Sequence, residues 1–110
     1  MITAKQVRDL IRAQSADSLT ATNDRGISLK QALVPPQRIS VIERMVHGGR
    51  MNDQKLEVWL VGQESPDGGY KIIMGEDGSR FGLAGSGFPA DEHLVLIGWY
   101  GSLMSAFLGM

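Results

Sequence analysis

Few residues in this sequence have the type and spacing that catalysis or metal binding needs, and the two histidines come first. His47 and His93 lie far apart in the chain and form neither an HxH nor an HExxH pair. His93 directly follows Asp91 and Glu92, which is compatible with a carboxylate–imidazole site but more typical of a polar loop before a strand. No cysteine is present to supply a thiolate ligand. The sequence therefore predicts no metal site and no cofactor.

A nucleophilic site would have to use serine or threonine, because the chain has no cysteine. Ser86 lies in the segment GSGF, and Asp91 and His93 follow it, so the residue types of a serine triad occur in one stretch. The segment lacks the G-x-S-x-G spacing of a strained nucleophile elbow, and its small residues are typical of a flexible loop. We therefore predict no catalytic residue, and the sequence favours a protein that is not an enzyme.

Anion-binding loops are weakly indicated. The segment HGGR places two glycines between His47 and Arg50, where backbone amides and a guanidinium could meet an anion, although a hairpin end is the favoured interpretation. No GxGxxG opens a helix, no GK[ST] occurs, and the neighbouring acids Glu76 and Asp77 would repel phosphate. If the protein has a small-molecule pocket, we expect four residues to supply its polar groups: His47, Arg50, Glu64 and His93.

Three aromatic residues are candidates for a protein interface. Trp99 and Tyr100 stand between glycines in the segment GWYG, and Trp59 lies in an earlier apolar run. Aromatic residues beside aliphatic ones are typical of a core, which is the favoured interpretation, but Trp and Tyr also dominate the binding energy of many interfaces.

The first element that must position such residues is a helix near the start of the chain. Thr3 is a good N-cap, and Gln6 stands three residues on, as a capping box requires. The apolar side chains of this segment should dock the helix onto a sheet: Ile2, Val7, Leu10 and Ile11. We expect the helix to end near Gln14.

Residues 15–36 leave two structures open. The segment TNDRG is rich in turn formers and predicts a hairpin, whereas Ser28 and Gln31 repeat the capping-box spacing and predict a short helix. Pro35 and Pro36 are expected to end either element. The favoured combination is a hairpin or extended stretch followed by one helical turn.

After the prolines, the apolar pattern becomes that of strands, in five runs: RISVIERMVH, KLEVWLVGQ, GYKIIM, SRFGLA and HLVLIGWY. Turn-forming segments separate these runs, which indicates an antiparallel meander. The predicted fold is α+β: an N-terminal helix packed on an antiparallel β-meander of four to six strands, with a short C-terminal helix, in a single domain over residues 1–110. One sheet face is expected to hold the N-terminal helix. The other face keeps Trp59, Val61 and part of the last strand, so the last helix, curling of the sheet or another chain must cover some of it.

The uncharged tail LVLIGWYGSLMSAFLGM admits two interpretations. As one helix its seventeen residues would span about 25 Å, which is short of a hydrocarbon core of about 30 Å, and three glycines weaken it. The favoured interpretation divides it at Gly101 into a central strand and a helix capped by Ser102. The apolar stripe of that helix is predicted to be core: Leu103, Met104, Phe107 and Leu108.

Composition narrows the class of function. The net charge is −1, which gives no electrostatic indication of a nucleic-acid partner or an anionic membrane. The absence of cysteine suits a reducing cytoplasm, and the first residues do not resemble a secretion signal. The favoured function is a soluble, cytoplasmic, bacterial-type protein-interaction module that forms a homo-oligomer and engages a protein partner the sequence does not identify. The alternative is a small-molecule-binding protein or small enzyme with a pocket between the sheet and the N-terminal helix.

Overall fold

The computed structural model describes residues 2–66, 68–86 and 94–110, with the backbone alone at residues 47 and 86. Five strands, hydrogen-bonded in chain order, form a closed barrel. In chain order, the elements are α1 (Ala4–Ser15), α2 (Leu29–Ala32), β1 (Leu33–His47), β2 (Arg50–Ser65), β3 (Gly68–Gly75), β4 (Phe81–Ser86), β5 (Leu94–Gly101) and α3 (Leu103–Leu108).

The sheet closes where its first and last strands meet. Consecutive strands pair antiparallel, and β1 and β5 pair in parallel with Ile42 opposite Val95. The α+β class, the strand order and the helix near each end agree with the prediction. The closure differs from it, because the fold is a mixed barrel and not an open antiparallel meander. Register shifts in the β2–β3 and β4–β5 pairs strengthen the local twist, which helps the sheet to curl.

Helix α1 begins at the predicted cap. Thr3 Oγ1 accepts a hydrogen bond from the backbone N–H of Gln6 at 3.2 Å, and Gln6 Oε1 accepts one from the N–H of Thr3 at 2.8 Å. Val7 and Ile11 are buried against the outside of the barrel, while Leu10 is half-buried beside them. The helix ends at Ser15, one residue beyond the predicted end.

The segment between α1 and β1 contains both structures that the sequence left open. The chain turns at Asn23, whose side-chain oxygen accepts from the N–H groups of Arg25 and Ile27. One helical turn, α2, then starts at the capping box of Ser28. The expectation that the two prolines end this element is wrong, because α2 ends at Ala32 and β1 already includes residues 35 and 36.

Strands β1 and β2 extend beyond the barrel as a long hairpin, here called the β1–β2 arm (residues 43–54). The sequence indicated a turn-forming segment between the strand runs RISVIERMVH and KLEVWLVGQ, but only Gly48 and Gly49 form the turn, both with positive φ. Two residues in this conformation make a tight hairpin turn, so pairing continues to its tip. The Arg44 guanidinium holds the Asp53 carboxylate across the arm through two hydrogen bonds of 2.9 Å.

Two apolar clusters stabilise the fold. Paired residues share a sheet face, so alternate strand positions face the barrel interior. The interior cluster consists of Val41, Val58, Ile73 and Ala84, with half-buried Ile39, Leu56, Leu94, Leu96 and Trp99 packed against it. The outer cluster joins the opposite face of β2, β3 and β4 to the three helices, and its largest fully buried members are Phe81 and Phe107.

The uncharged tail divides as predicted into strand β5 and helix α3. Ser102 caps α3 by accepting from the N–H of Ser105 at 3.1 Å. Leu103 and Phe107 are fully buried, whereas Leu108, expected in the core, is 52% exposed. Within residues 2–66, 68–86 and 94–110, the helices are all too short or too polar to cross a bilayer.

Candidate functional site

The structure does not bring the predicted ligand-binding residues together. Arg50 is exposed at the tip of the β1–β2 arm, and Glu64 lies at the other end of strand β2. The Glu64 carboxylate contacts the Arg25 guanidinium at 2.9 Å and accepts from the N–H of Tyr70, so it holds the loop before α2 against the β2–β3 hairpin. His93 lies outside the described residues, as does the side chain of His47.

The three predicted interface residues have different surroundings. Trp59 is 5% exposed within the outer cluster, where burial in the core was the favoured interpretation. Trp99 is half-buried and packs against the interior cluster, and Tyr100 beside it is 40% exposed. The serine-triad combination that the sequence did not favour lies outside the described parts, which exclude Asp91, His93 and the side chain of Ser86.

A cleft of about 840 Å³ opens at the end of the barrel where the β3–β4 turn lies. Leu56 and Val58 from β2 and Trp99 from β5 form its apolar wall, and the turn supplies its polar rim. We call this space the mouth cleft, and its lining residues are Ile2, Leu56, Val58, Gly75, Glu76, Asp77, Ser79, Arg80 and Trp99. Barrel mouths are among the places where proteins commonly bind small molecules.

A glycine on β4 makes room for the Trp99 indole in the wall. Gly82 pairs with Trp99, and a Cβ atom at Gly82 would lie 2.9 Å from Trp99 Cε3. The indole can therefore lie directly against β4. Trp99 Nε1 is buried and donates no hydrogen bond within the described chain, so packing and ring contacts hold the indole.

Arg80 forms the most distinctive contact of the mouth cleft. Its guanidinium carbon lies 4.0 Å from the centroid of a Trp99 ring, which is a close cation–π arrangement. Within the described parts of the chain, no carboxylate oxygen lies within 4.0 Å of Arg80. A stacked guanidinium keeps its N–H groups along its edge, where they can donate to a planar anion.

The two acids on the rim are engaged by other groups. Glu76 forms an ion pair with Arg38 at 3.5 Å. Hydrogen bonds from the Ser79 hydroxyl and N–H, with the nearby charge of Arg80, lower the pKa of Asp77 below its usual value, although partial desolvation acts in the other direction. The rim therefore carries balanced charge, with Arg80 as the cation that has no direct carboxylate contact.

The described groups of the mouth cleft are suited to binding. Among the described residues, no three histidine or carboxylate side chains are close enough to hold a metal ion. The Ser79 N–H donates to Asp77 at 2.9 Å, and a carboxylate with a lowered pKa is a poor general base for activating a neighbouring hydroxyl. Apolar contact in the wall and hydrogen bonding at Arg80 are the chemistry that remains.

Sequence reasoning missed the mouth cleft, although it identified the turn at its rim. The segment EDGS, residues 76–79, is typical of a hairpin tip, and it does lie between β3 and β4. The meeting of Arg80 and Trp99 was not anticipated, because they lie on different strands. One usable signal was present: β4 carries the small residues Gly82 and Ala84 on its inward face, which leaves room for a large side chain from a neighbouring strand.

Comparison with known proteins provides no relative from which a function could be transferred. No family model matches the chain, and no curated protein or solved structure matches it either. The function must therefore be inferred from the geometry of the mouth cleft.

Proposed function

We propose that this protein binds a small organic anion in the mouth cleft. The stacking of Arg80 on Trp99, at the wall of a cleft of about 840 Å³, is the observation that carries the proposal. An aromatic or aliphatic body would contact Leu56, Val58 and the indole, and an anionic group would accept hydrogen bonds from Arg80. A small-molecule pocket, the alternative in the sequence analysis, is thus favoured, but at the barrel mouth and not between the sheet and the N-terminal helix. None of the four polar residues predicted for that pocket is among the described lining residues of the mouth cleft.

The anionic character of the ligand follows from the charges at the rim. Arg38 offsets the charge of Glu76, and the charge of Asp77 faces that of Arg80 at longer range, so the repulsion that the two acids would exert on an anion is partly offset. Among the described residues, the guanidinium of Arg80 contacts the Trp99 ring and is attracted to Asp77 at longer range. A hydrogen bond to a charged group contributes about 1.5–3 kcal/mol, so this one side chain can decide the preferred head group.

Three probes with one aromatic body test the proposal: 2-naphthoate, 2-naphthylmethanol and 2-naphthylmethylammonium. The indole N–H signal of Trp99, assigned with Trp99→Phe, reports binding in a nuclear magnetic resonance titration. We expect 2-naphthoate to bind about tenfold more tightly than the alcohol, and the ammonium to bind most weakly, because only the carboxylate pairs with Arg80.

Arg80→Gln should remove that preference, whereas Arg50→Gln removes an equal charge from the exposed arm and should leave the affinity unchanged. The proposal is wrong if the Trp99 signal does not move with any probe. It is also wrong if the alcohol binds as tightly as 2-naphthoate, or if the two substitutions weaken 2-naphthoate equally.

Self-association is a second proposed function, and the β1–β2 arm is the feature that favours it. Val46 and Met51 pair across the arm and are 70% and 63% exposed. Exposed apolar side chains on a projecting hairpin are suited to contact with a second copy. Sedimentation at micromolar concentration should give a dimer or larger, and Val46→Lys with Met51→Lys should give the 12.0 kDa monomer. A monomer for the unaltered protein would contradict this proposal.

A cytoplasmic location, which the absence of cysteine supports, is compatible with both functions.

A further inference from the structure

A second concave surface lies between helix α1 and the start of strand β1. Its volume is about 340 Å³, and it shares no lining residue with the mouth cleft. We call it the α1–β1 groove, and its lining residues are Arg8, Ile11, Arg12, Ser15, Leu19, Leu33, Val34, Pro35 and Pro36.

The floor and strand side of the α1–β1 groove are apolar. Ile11 is buried at 9% exposure, and Leu19 at one end leaves 37% of its surface in water. Covering such apolar surface is favourable in proportion to the area removed from water. The groove therefore suits an apolar chain of limited length.

The backbone of the groove gives a peptide partner little to pair with. Pro35 and Pro36 have no N–H group. The N–H of Leu33, which follows α2, already donates to the carbonyl oxygen of Leu29. The one hydroxyl in the lining, of Ser15, donates to the carbonyl oxygen of Ile11 at 2.6 Å. An alkyl chain needs no hydrogen bonds, so these features favour it over an added strand.

Two arginines on α1 supply the charge. Arg8 and Arg12 stand one helical turn apart, where like charges repel each other. No carboxylate in residues 2–66, 68–86 or 94–110 lies within 4.0 Å of either guanidinium, and Asp9 on the same helix contacts Lys5 at 3.4 Å instead. One carboxylate between the two arginines would relieve the repulsion and accept charge-assisted hydrogen bonds from both.

From these features we propose that the α1–β1 groove binds a medium-chain aliphatic carboxylate. The alkyl chain lies against Ile11, Leu19 and Val34, and the carboxylate contacts Arg8 and Arg12. This site is independent of the mouth cleft, so failure of one proposal leaves the other standing.

Decanoate and 1-decanol are matched probes for this site. In a nuclear magnetic resonance titration of the full chain, decanoate should move the amide signals of Ile11, Leu19 and Val34. It should bind about tenfold more tightly than 1-decanol, because the alcohol lacks the charge that the arginines recognise.

Two double variants separate a specific site from a general effect of charge. Arg8→Gln with Arg12→Gln should weaken decanoate about tenfold and change 1-decanol by less than about twofold. Lys30→Gln with Arg50→Gln removes the same charge from exposed positions elsewhere and should leave both affinities unchanged. The proposal is overturned if decanoate does not bind, if the alcohol binds equally well, if both double variants weaken decanoate alike, or if the shifts map to the mouth cleft.

Discussion

Replacement of Gly82 by alanine tests the packing that positions the indole in the mouth cleft. A Cβ atom at Gly82 would lie 2.5 Å from the backbone oxygen of Gly98 and 2.9 Å from Trp99 Cε3. Contacts under 3.0 Å essentially do not occur for real Cβ atoms, so β4 and β5 must separate by about half an ångström. The nearest atom belongs to the backbone, so no side-chain rotation can relieve the contact.

The magnitude follows from two opposing effects. Overpacking of this kind costs about 1–3 kcal/mol. Alanine recovers about 0.5–1 kcal/mol over glycine within a strand. We therefore expect Gly82→Ala to lower the free energy of unfolding by up to about 2.5 kcal/mol, out of the roughly 5–15 kcal/mol typical of a domain. The indole N–H signal of Trp99 should also shift, because the ring must move.

Gly85→Ala on the same strand is the matched control. Its Cβ atom would lie 3.2 Å from the terminal methyl of Ile97, a flexible group on a side chain that is 51% exposed. This contact can relax, so we expect no loss of stability, or a gain of up to about 0.5 kcal/mol. Urea unfolding of both variants measures the difference. If Gly82→Ala is as stable as Gly85→Ala, the assignment of Gly82 as the space that admits Trp99 is wrong.

Further predictions concern the outer cluster, the first helix cap and the β1–β2 arm. Phe107→Ala should cost about 3–5 kcal/mol in urea unfolding because Phe107 is fully buried, whereas Leu108→Ala should cost less than about 0.5 kcal/mol. Thr3→Ala should cost about 1 kcal/mol in the same assay because it removes half of the capping box. The hydrogen bonds from Arg44 lower the pKa of Asp53, so the pair's contribution is present at neutral pH and is lost as the pH falls below about 3.9 and through the lowered value. The carboxyl carbon of Asp53 should report a titration midpoint below the ordinary one, and Arg44→Gln should raise it; an unchanged midpoint would contradict the assignment.

Local structure could be predicted wherever neighbouring residues determine it. The capping boxes at Thr3 and Ser28 start both helices, because each uses groups only three residues apart. The same holds for the cap at Ser102, which begins the last helix. The length of the β1–β2 arm was underestimated, because the polar residues after the two glycines looked like part of the turn. Two glycines suffice for the turn, and the residues that follow are polar because the arm is exposed to water on both faces.

The candidate site could not be predicted, because it depends on contacts between distant parts of the chain. Arg80 and Trp99 meet only once β4 and β5 pair with Gly82 opposite the indole. The polar residues singled out by type were chosen for what they could do chemically. Of those the structure describes, Arg50 and Glu64 stand at opposite ends of β2, where no cleft joins them.

The closure of the barrel also changes the argument for self-association. The sequence offered more apolar strand positions than two short helices can cover, and a second chain was one way to cover them. In the structure, curling buries Val41, Val58 and Ile73 inside the barrel, and three helices cover the outer face around Trp59. The apolar strand positions that motivated self-association are therefore largely covered within one chain. Self-association is now supported by the exposed apolar pair Val46 and Met51 on the β1–β2 arm. Substitutions at these two residues must therefore test it.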